Sequence, residues 1–189
     1  KLDLLNEKFY AFHVSGGTTE GLLISPNTAQ NGNLFEISLL VKSLDLHAGQ
    51  LIDRVGVMLS LDFPCGKPLT DLALKCNETI KIKPTLKDGN VNLSGVQNKC
   101  KFMLENKYKP EYIARYVIEY IKTSLDSMTE YIYEKNGIKP IVFAGGVMSN
   151  VIIRDFMQNK YNAFFAEPQF STDNAAGVAI IGSILNNKK

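Results

Sequence analysis

Several features are scarce in this 189-residue chain, and each scarcity closes off a class of function. There is no tryptophan, and the two histidines, His13 and His47, stand thirty-four residues apart. That spacing writes neither HExxH nor H-x-x-x-H, so no local pair of histidine ligands is encoded. Nor do Ser, His and Asp follow one another as in the known hydrolase triads, which argues against proteolysis. The three cysteines, Cys65, Cys76 and Cys100, are odd in number and form no C-x-x-C. This argues against a disulfide framework and a zinc ribbon, and reduced thiols in a cytoplasmic protein are expected. No apolar run approaches the roughly 20 residues of a membrane helix, and no signal peptide is expected. Charge of one sign is not in large excess either. A formal net charge of +2 gives no general electrostatic grip on nucleic acid, although local contact with RNA stays open.

What is present is a core-building chain, 45% hydrophobic, sufficient for one good core or two small ones. Phe9–Val14 (FYAFHV), 21–25 (GLLIS) and 31–41 (NGNLFEISLLV) are short apolar runs separated by glycine and asparagine turns, which predicts an antiparallel meander. From Asp45 the period changes to that of a helix, with Ala48, Leu51, Ile52, Val55, Met58 and Leu59 on one face, ending near Asp62–Gly66. A shorter helix follows around Leu69–Lys75. The stretch 77–109 is polar and lysine-rich, and reads as an irregular insertion. Pro110–Glu134 then carries Ile113, Val117, Tyr120, Ile121, Leu125, Met128 and Ile132 at helical intervals, between a first-turn proline and a terminating Asn136-Gly137. A strand at 141–144, a helix from about Asn150, a strand at 163–166 and a helix over Thr172–Leu185 complete the order. Tyr108, Tyr112, Tyr116, Tyr120, Tyr131 and Tyr133 exceed a single apolar stripe, and suit either partly exposed packing or an interface.

Three turns carry candidate chemistry. In HVSGGTTE, residues Ser15, Gly16 and Gly17 sit at a hairpin tip where backbone N–H groups can meet phosphate without a Cβ in the way, while Thr18 and Thr19 add hydroxyls. An ordinary glycine hairpin accounts for the same letters. In IVFAGGVMSN, a strand passes through two glycines into a helix whose positive end Asn150 can cap or lend to a ligand. In STDNAAG, Thr172, Asp173 or Asn174 can cap the last helix, and Asp173 is also a candidate oxygen ligand for a hard cation.

In order, these turns stand with AGQLIDR at Ala48–Arg54, LDFPCG at Leu61–Gly66 and NLSGV at Asn92–Val96. Together they resemble the TsaD family of tRNA threonylcarbamoyl transferases, formerly labelled O-sialoglycoprotein endopeptidases or glycoproteases. VSGGHT of that family recurs at Val14–Thr19, AGEAFDK at Ala48–Arg54 and YPGG at Phe63–Gly66. FSFSG falls on Asn92–Gly95, AGGVxxN on Ala144–Asn150 and TDN on Thr172–Asn174, so the likeness spans nearly the whole chain. A strand meander, a helix and then strand–helix–strand–helix is the ordering of a ribonuclease-H-like half of the actin-like ATPase architecture, an α/β fold with a mixed sheet and helices on both faces. The resemblance implies the same superfamily. It implies one such half, with an N-terminal half still to be supplied; the first residue, Lys1, fits a longer parent.

Family members move a threonylcarbamoyl group from its adenylate onto the adenosine beside the anticodon of tRNAs that read codons starting with A. By position, Val14, Ser15, Gly16, Gly17 and Thr18 become the phosphate or substrate loop. Asp53 becomes the holder of the ribose hydroxyls, Gly66 the point where backbone reaches adenosine, and Asn150 a nucleotide contact. ATP or an acyl-adenylate is the implied ligand. Asp173 becomes a ligand of iron or magnesium, provided an N-terminal half brings the two family histidines. Thr18, Gln50 and Lys67 depart from the family letters, which suggests a divergent paralogue. Two classes follow: the nucleotide-binding part of a transferase, inactive as it stands, or a non-catalytic actin-like partner that dimerises with itself or with a paralogous subunit. An apolar patch left by the missing half would favour a homodimer.

Overall fold

The computed structural model describes residues 6–27, 34–166 and 175–186. Its centre is a five-stranded mixed sheet. The meander predicted from the first three apolar runs forms β1 (Phe9–Val14), β2 (Thr19–Pro26) and β3 (Phe35–Lys42), all antiparallel. β6 (Ile141–Ala144) runs parallel beside β1, and the short β7 (Phe164–Phe165) runs parallel beside β6. Parallel neighbours cannot be joined by a tight turn, so the chain between β3 and β6 must cross over, and it does so as helices.

Alternation along the strands decides which face those helices cover. Tyr10, Phe12, Ile141 and Phe143 point one way and are almost wholly buried. Their rings form a ladder across the strands, Phe12 stacked on Phe143 at 5.1 Å and Phe143 on Phe165 at 5.6 Å. Against this face lies α4 (Pro110–Asn136), the 27-residue helix whose periodicity was plainest in the sequence. α1 (Ala48–Met58), α2 (Gly66–Ala73), α3 (Ser94–Glu105) and α5 (Val151–Tyr161) all pack on α4. The opposite face carries Ile37, Leu39 and Phe164, each 42–65% exposed. α6 (Ala175–Asn186) also shows exposed Val178, Ile180 and Ile181. Tyr112, Tyr116, Tyr120, Tyr131 and Tyr133 pack against the core, so most of the tyrosine excess is packing; Tyr108 stays exposed.

One expectation needs correction. The stretch 77–109 is not irregular throughout: it holds a small hairpin, β4 (Leu86–Lys87) with β5 (Asn90–Val91), and the 12-residue α3. Val96, Cys100 and Met103 keep helical spacing and are buried, but three apolar positions among lysines are a thin signal. The start of α3 is also hidden in the sequence because its cap comes from far away. Asp45 receives the Leu93 N–H (2.7 Å), the Ser94 N–H (3.2 Å) and the Ser94 hydroxyl (2.6 Å). Burial alone would raise the Asp45 pKa, but these bonds outweigh it and hold the carboxyl below its ordinary value.

Candidate functional site

Two chain reversals and the start of α1 meet at the carboxyl ends of β1 and β6. After β1, the turn Ser15–Thr18 closes with Ser15 N–H donating to Thr18 O at 2.7 Å. The Gly17 and Thr18 amides both donate to Ser15 Oγ, at 3.2 and 3.1 Å. An anion seated here must therefore displace a hydroxyl, a weak competitor at these lengths. Behind the turn, α1 begins with Gly49 donating its N–H to Ser15 O (3.0 Å). A Cβ at Gly49 would stand 2.6 Å from the Gly16 nitrogen, so only glycine lets helix and turn touch. Gly145, after β6, has φ +103° and a hypothetical Cβ 2.3 Å from Val14 O, which again demands glycine. The two glycine-rich turns of the sequence are thus both pressed against the end of β1.

One turn further along α1, Asp53 Oδ1 accepts the Cys65 N–H at 2.9 Å. This fixes the Phe63–Cys65 turn and with it the start of α2 at Gly66. The Cys65 thiol behind it is fully buried; burial first, then the charges of Asp53 and Asp62, push its pKa up, so it is a packing group and not a nucleophile. Thr70, one turn into α2, donates to Gly66 O (2.7 Å) and accepts from the Asn150 side-chain amide (2.7 Å). Asn150 is 7% exposed and its oxygen caps α5, accepting from Ile152 (3.0 Å) and Ile153 (3.2 Å). It therefore serves as the cap that one reading of the sequence anticipated, and also ties two helices together.

Between α1, α2 and the turn Gly146–Asn150 lies a cavity of about 430 Å³, within the range of small-molecule sites. Ile52, Leu74, Val147 and Val151 give it apolar walls; Gly66, Thr70 and Asn150 give it polar ones; Lys67 and Asp71, paired at 2.6 Å, stand at an exposed edge. Gly66 and Asn150, both singled out from the sequence, line this one space. Asp53 and Val14–Thr18 do not line it: Asp53 bonds Cys65, the residue before Gly66, and Ser15 bonds Gly49, one turn before Ile52 on α1. Thr70, Asp71 and the apolar lining were not anticipated. The available signal was the position of Thr70, four residues after Gly66 on a helix, where a back-bonding hydroxyl faces the same side.

The departures from the family letters have visible consequences. Gln50 Oε1 accepts the His47 N–H at 3.2 Å, so an uncharged amide still closes the start of α1. His13 is exposed on β1 and His47 precedes α1, on separate elements. Asp173 lies outside the described residues. Among the described residues no three His, Cys, Asp or Glu side chains come together as a metal site. No helix among them is long and apolar enough to cross a membrane.

A family model for TsaD, tRNA N6-adenosine threonylcarbamoyltransferase, matches residues 12–180. The chain belongs to the TsaD family. Similar proteins carrying that description include one from Riemerella anatipestifer, 25% identical over 93% of this chain and 54% of its own length. Others are from Nanoarchaeum equitans, 29% over 90% and 53%, and Campylobacter hominis, 31% over 93% and 55%. The chain thus spans about half the length of these TsaD relatives. Among solved structures, full-length HypF in its phosphate- and nucleotide-bound form aligns with a TM-score of 0.71 at 11% identity, covering 97% of this chain and 40% of that one. The activator of the 2-hydroxyisocaproyl-CoA dehydratase from Clostridium difficile, with bound ADPNP, aligns at 0.56 and 14%, covering 97% and 62%. Those likenesses concern fold, and with the mixed five-stranded sheet they make this TsaD chain an actin-like α/β unit.

Proposed function

We propose that this chain is the adenine-nucleotide-binding part of a TsaD-type transferase, taking ATP or an acyl-adenylate in the cavity along α2. One observation carries the reading: Gly66 and Asn150, far apart in sequence, line the same cavity, and Asp53 holds Cys65, the residue before Gly66. The base would lie between Ile52, Leu74, Val147 and Val151, where apolar walls exclude water. Asp53 Oδ1 is engaged by Cys65, while Oδ2 has no protein hydrogen bond among the described residues and suits a ribose hydroxyl. Phosphate would turn toward Ser15–Thr18, where the Gly17 and Thr18 amides exchange Ser15 Oγ for a charged oxygen. Support also comes from the bound nucleotides named for two proteins of like fold.

Transfer itself asks for more than these residues hold, since no histidine pair at ligand spacing exists in the sequence. The threonylcarbamoyl donor, the tRNA acceptor and a further half belong to the proposal for the complete protein, and the chain alone is expected to bind without turning over. Proteolysis gains nothing from the site, whose one cysteine is buried.

The test is calorimetric titration with ATP and Mg²⁺. Asp53→Asn keeps an acceptor for Cys65 but loses the carboxylate, and should weaken binding about tenfold, equivalent to about 1.4 kcal/mol. Gly66→Ala should do likewise without unfolding, because an added Cβ meets no protein atom within 4 Å. Unchanged affinity in both variants removes the reading. The competing idea, a dimerising partner without catalysis, draws on the exposed Ile37, Leu39 and Phe164. It requires heatless titrations together with a concentration-dependent dimer on size exclusion, and a monomer at high concentration rules it out.

A further inference from the structure

The charge of this chain is unevenly distributed. Residues 75–109 contain eight lysines against Glu78, Asp88 and Glu105, a surplus of five positive charges in a chain whose net charge is +2. The remainder is therefore net negative. All eight lysines are exposed. Among the described residues none of them reaches a carboxylate, whereas the lysines that do, Lys67, Lys122 and Lys160, all lie elsewhere. A solvated face would explain lysines, but not the aromatic rings left among them. Phe102 is 50% exposed under the Lys99 ammonium, 4.9 Å from the ring centroid, and Tyr108 is 45% exposed beside Tyr112 at 5.7 Å.

The two ends of the segment meet in a second cleft, about 420 Å³, lined by Glu78, Asn106, Lys107, Tyr108, Lys109 and Tyr112. Its loop is held in place: Lys107 donates its N–H to Leu104 O and Tyr108 to Met103 O, both at 3.0 Å. Lys109 then leads directly into Pro110 of α4. A ring, an amide and two lysines that outnumber the one carboxylate, Glu78, around an open cleft suit one unstacked nucleobase with phosphates on the lysine side. The position is also apt. The nucleotide cavity runs along α2 as far as Leu74, and the lysine-rich segment starts at the next residue.

We propose that residues 75–109, with the Tyr108 cleft at their foot, form a docking surface for a single-stranded stretch of RNA, one base stacking on Tyr108 while Lys107 and Lys109 hold its phosphates. The proposal rests on the transferase reading for its choice of RNA over another polyanion, and fixes where the acceptor approaches: across the far end of α2 from Gly66.

The experiment titrates the full-length protein with a fluorescein-labelled tRNA anticodon stem-loop at several salt concentrations. The same stem-loop annealed to its complement and a poly-glutamate peptide serve as competing probes. Tyr108→Ala should raise the RNA Kd about tenfold, and Tyr108→Phe should not. The double variant Lys107→Gln/Lys109→Gln should lower the salt slope by about 0.7 per lysine. All these side chains are exposed, so circular dichroism should be unchanged. ATP titrations run in parallel should also be unchanged by the three variants. RNA binding that is absent, or indifferent to these substitutions, overturns the proposal; so does equal, Tyr108-dependent binding of poly-glutamate or of the duplex. Loss of ATP binding in the parent protein, with the Tyr108 contrast intact, removes the nucleotide reading and leaves this one standing.

Discussion

At Gly49, behind the turn after β1, a single added carbon has no room, whereas forty-six residues along, at Gly95 in α3, it has ample room. A Cβ on Gly49 would press on the Gly16 and Ser15 backbone at 2.6–2.8 Å, while one on Gly95 would meet nothing within 4 Å. The first region is built from backbone touching backbone, with caps turned inward and little charge. The second is a thinly anchored helix whose outer surface is lysine and exposed aromatic. The contrast teaches where shape is specified by sterics and where the surface is left free to be read by charge.

The largest test of that contrast is Gly49→Ala. Overpacking against rigid backbone costs about 3 kcal/mol and exceeds the helix-propensity gain of about 1 kcal/mol. The net loss should lower Tm by roughly 4–8 °C in calorimetry, together with nucleotide affinity. Asn150→Ala comes next: it removes a cap and a buried amide bond, for about 1.5 kcal/mol by urea unfolding. Asn150→Asp keeps the cap, and should recover stability but not the bond to Thr70.

Asp45→Asn probes the weaker region and should cost about 1 kcal/mol, with a pH signature. The folded Asp45 pKa is depressed, so its contribution is complete above the ordinary carboxylate range and lost as acid protonates the folded group. Unfolding below about pH 4 should therefore be steeper in the parent than in Asp45→Asn. Smallest, and of opposite sign to the first, Gly95→Ala should stabilise by about 0.5 kcal/mol. If both glycine substitutions destabilise equally, the distinction between the regions fails.

Much of the frame was legible beforehand. β1 and β6 fall on the apolar runs read as strands, and α4 extends by two residues the helix expected from Pro110 to Glu134. Asn150 as cap of α5 was also readable, because a cap acts within three residues. Less visible was the 3-10 turn Gly146–Ser149, too short to leave a periodic trace. Of the site, the glycines were recognisable as a recurring pattern, but their reason was not. Gly49 and Gly145 are required by neighbours on other elements, and Thr70 acquires its role only through Asn150, eighty residues later.

Local interactions thus set the strands, the long helix and the caps, because hydrophobic period and hydrogen-bonding side chains act over a few residues. The tertiary structure alone decided that Asp45 would start a helix nearly fifty residues away, and that Gly66 and Asn150 would face one cavity. The first follows from Ser43 bridging to Val91, and the second depends on β6 lying parallel to β1 after a long crossover, a pairing fixed by burying Phe12 against Phe143 rather than by any nearby letter.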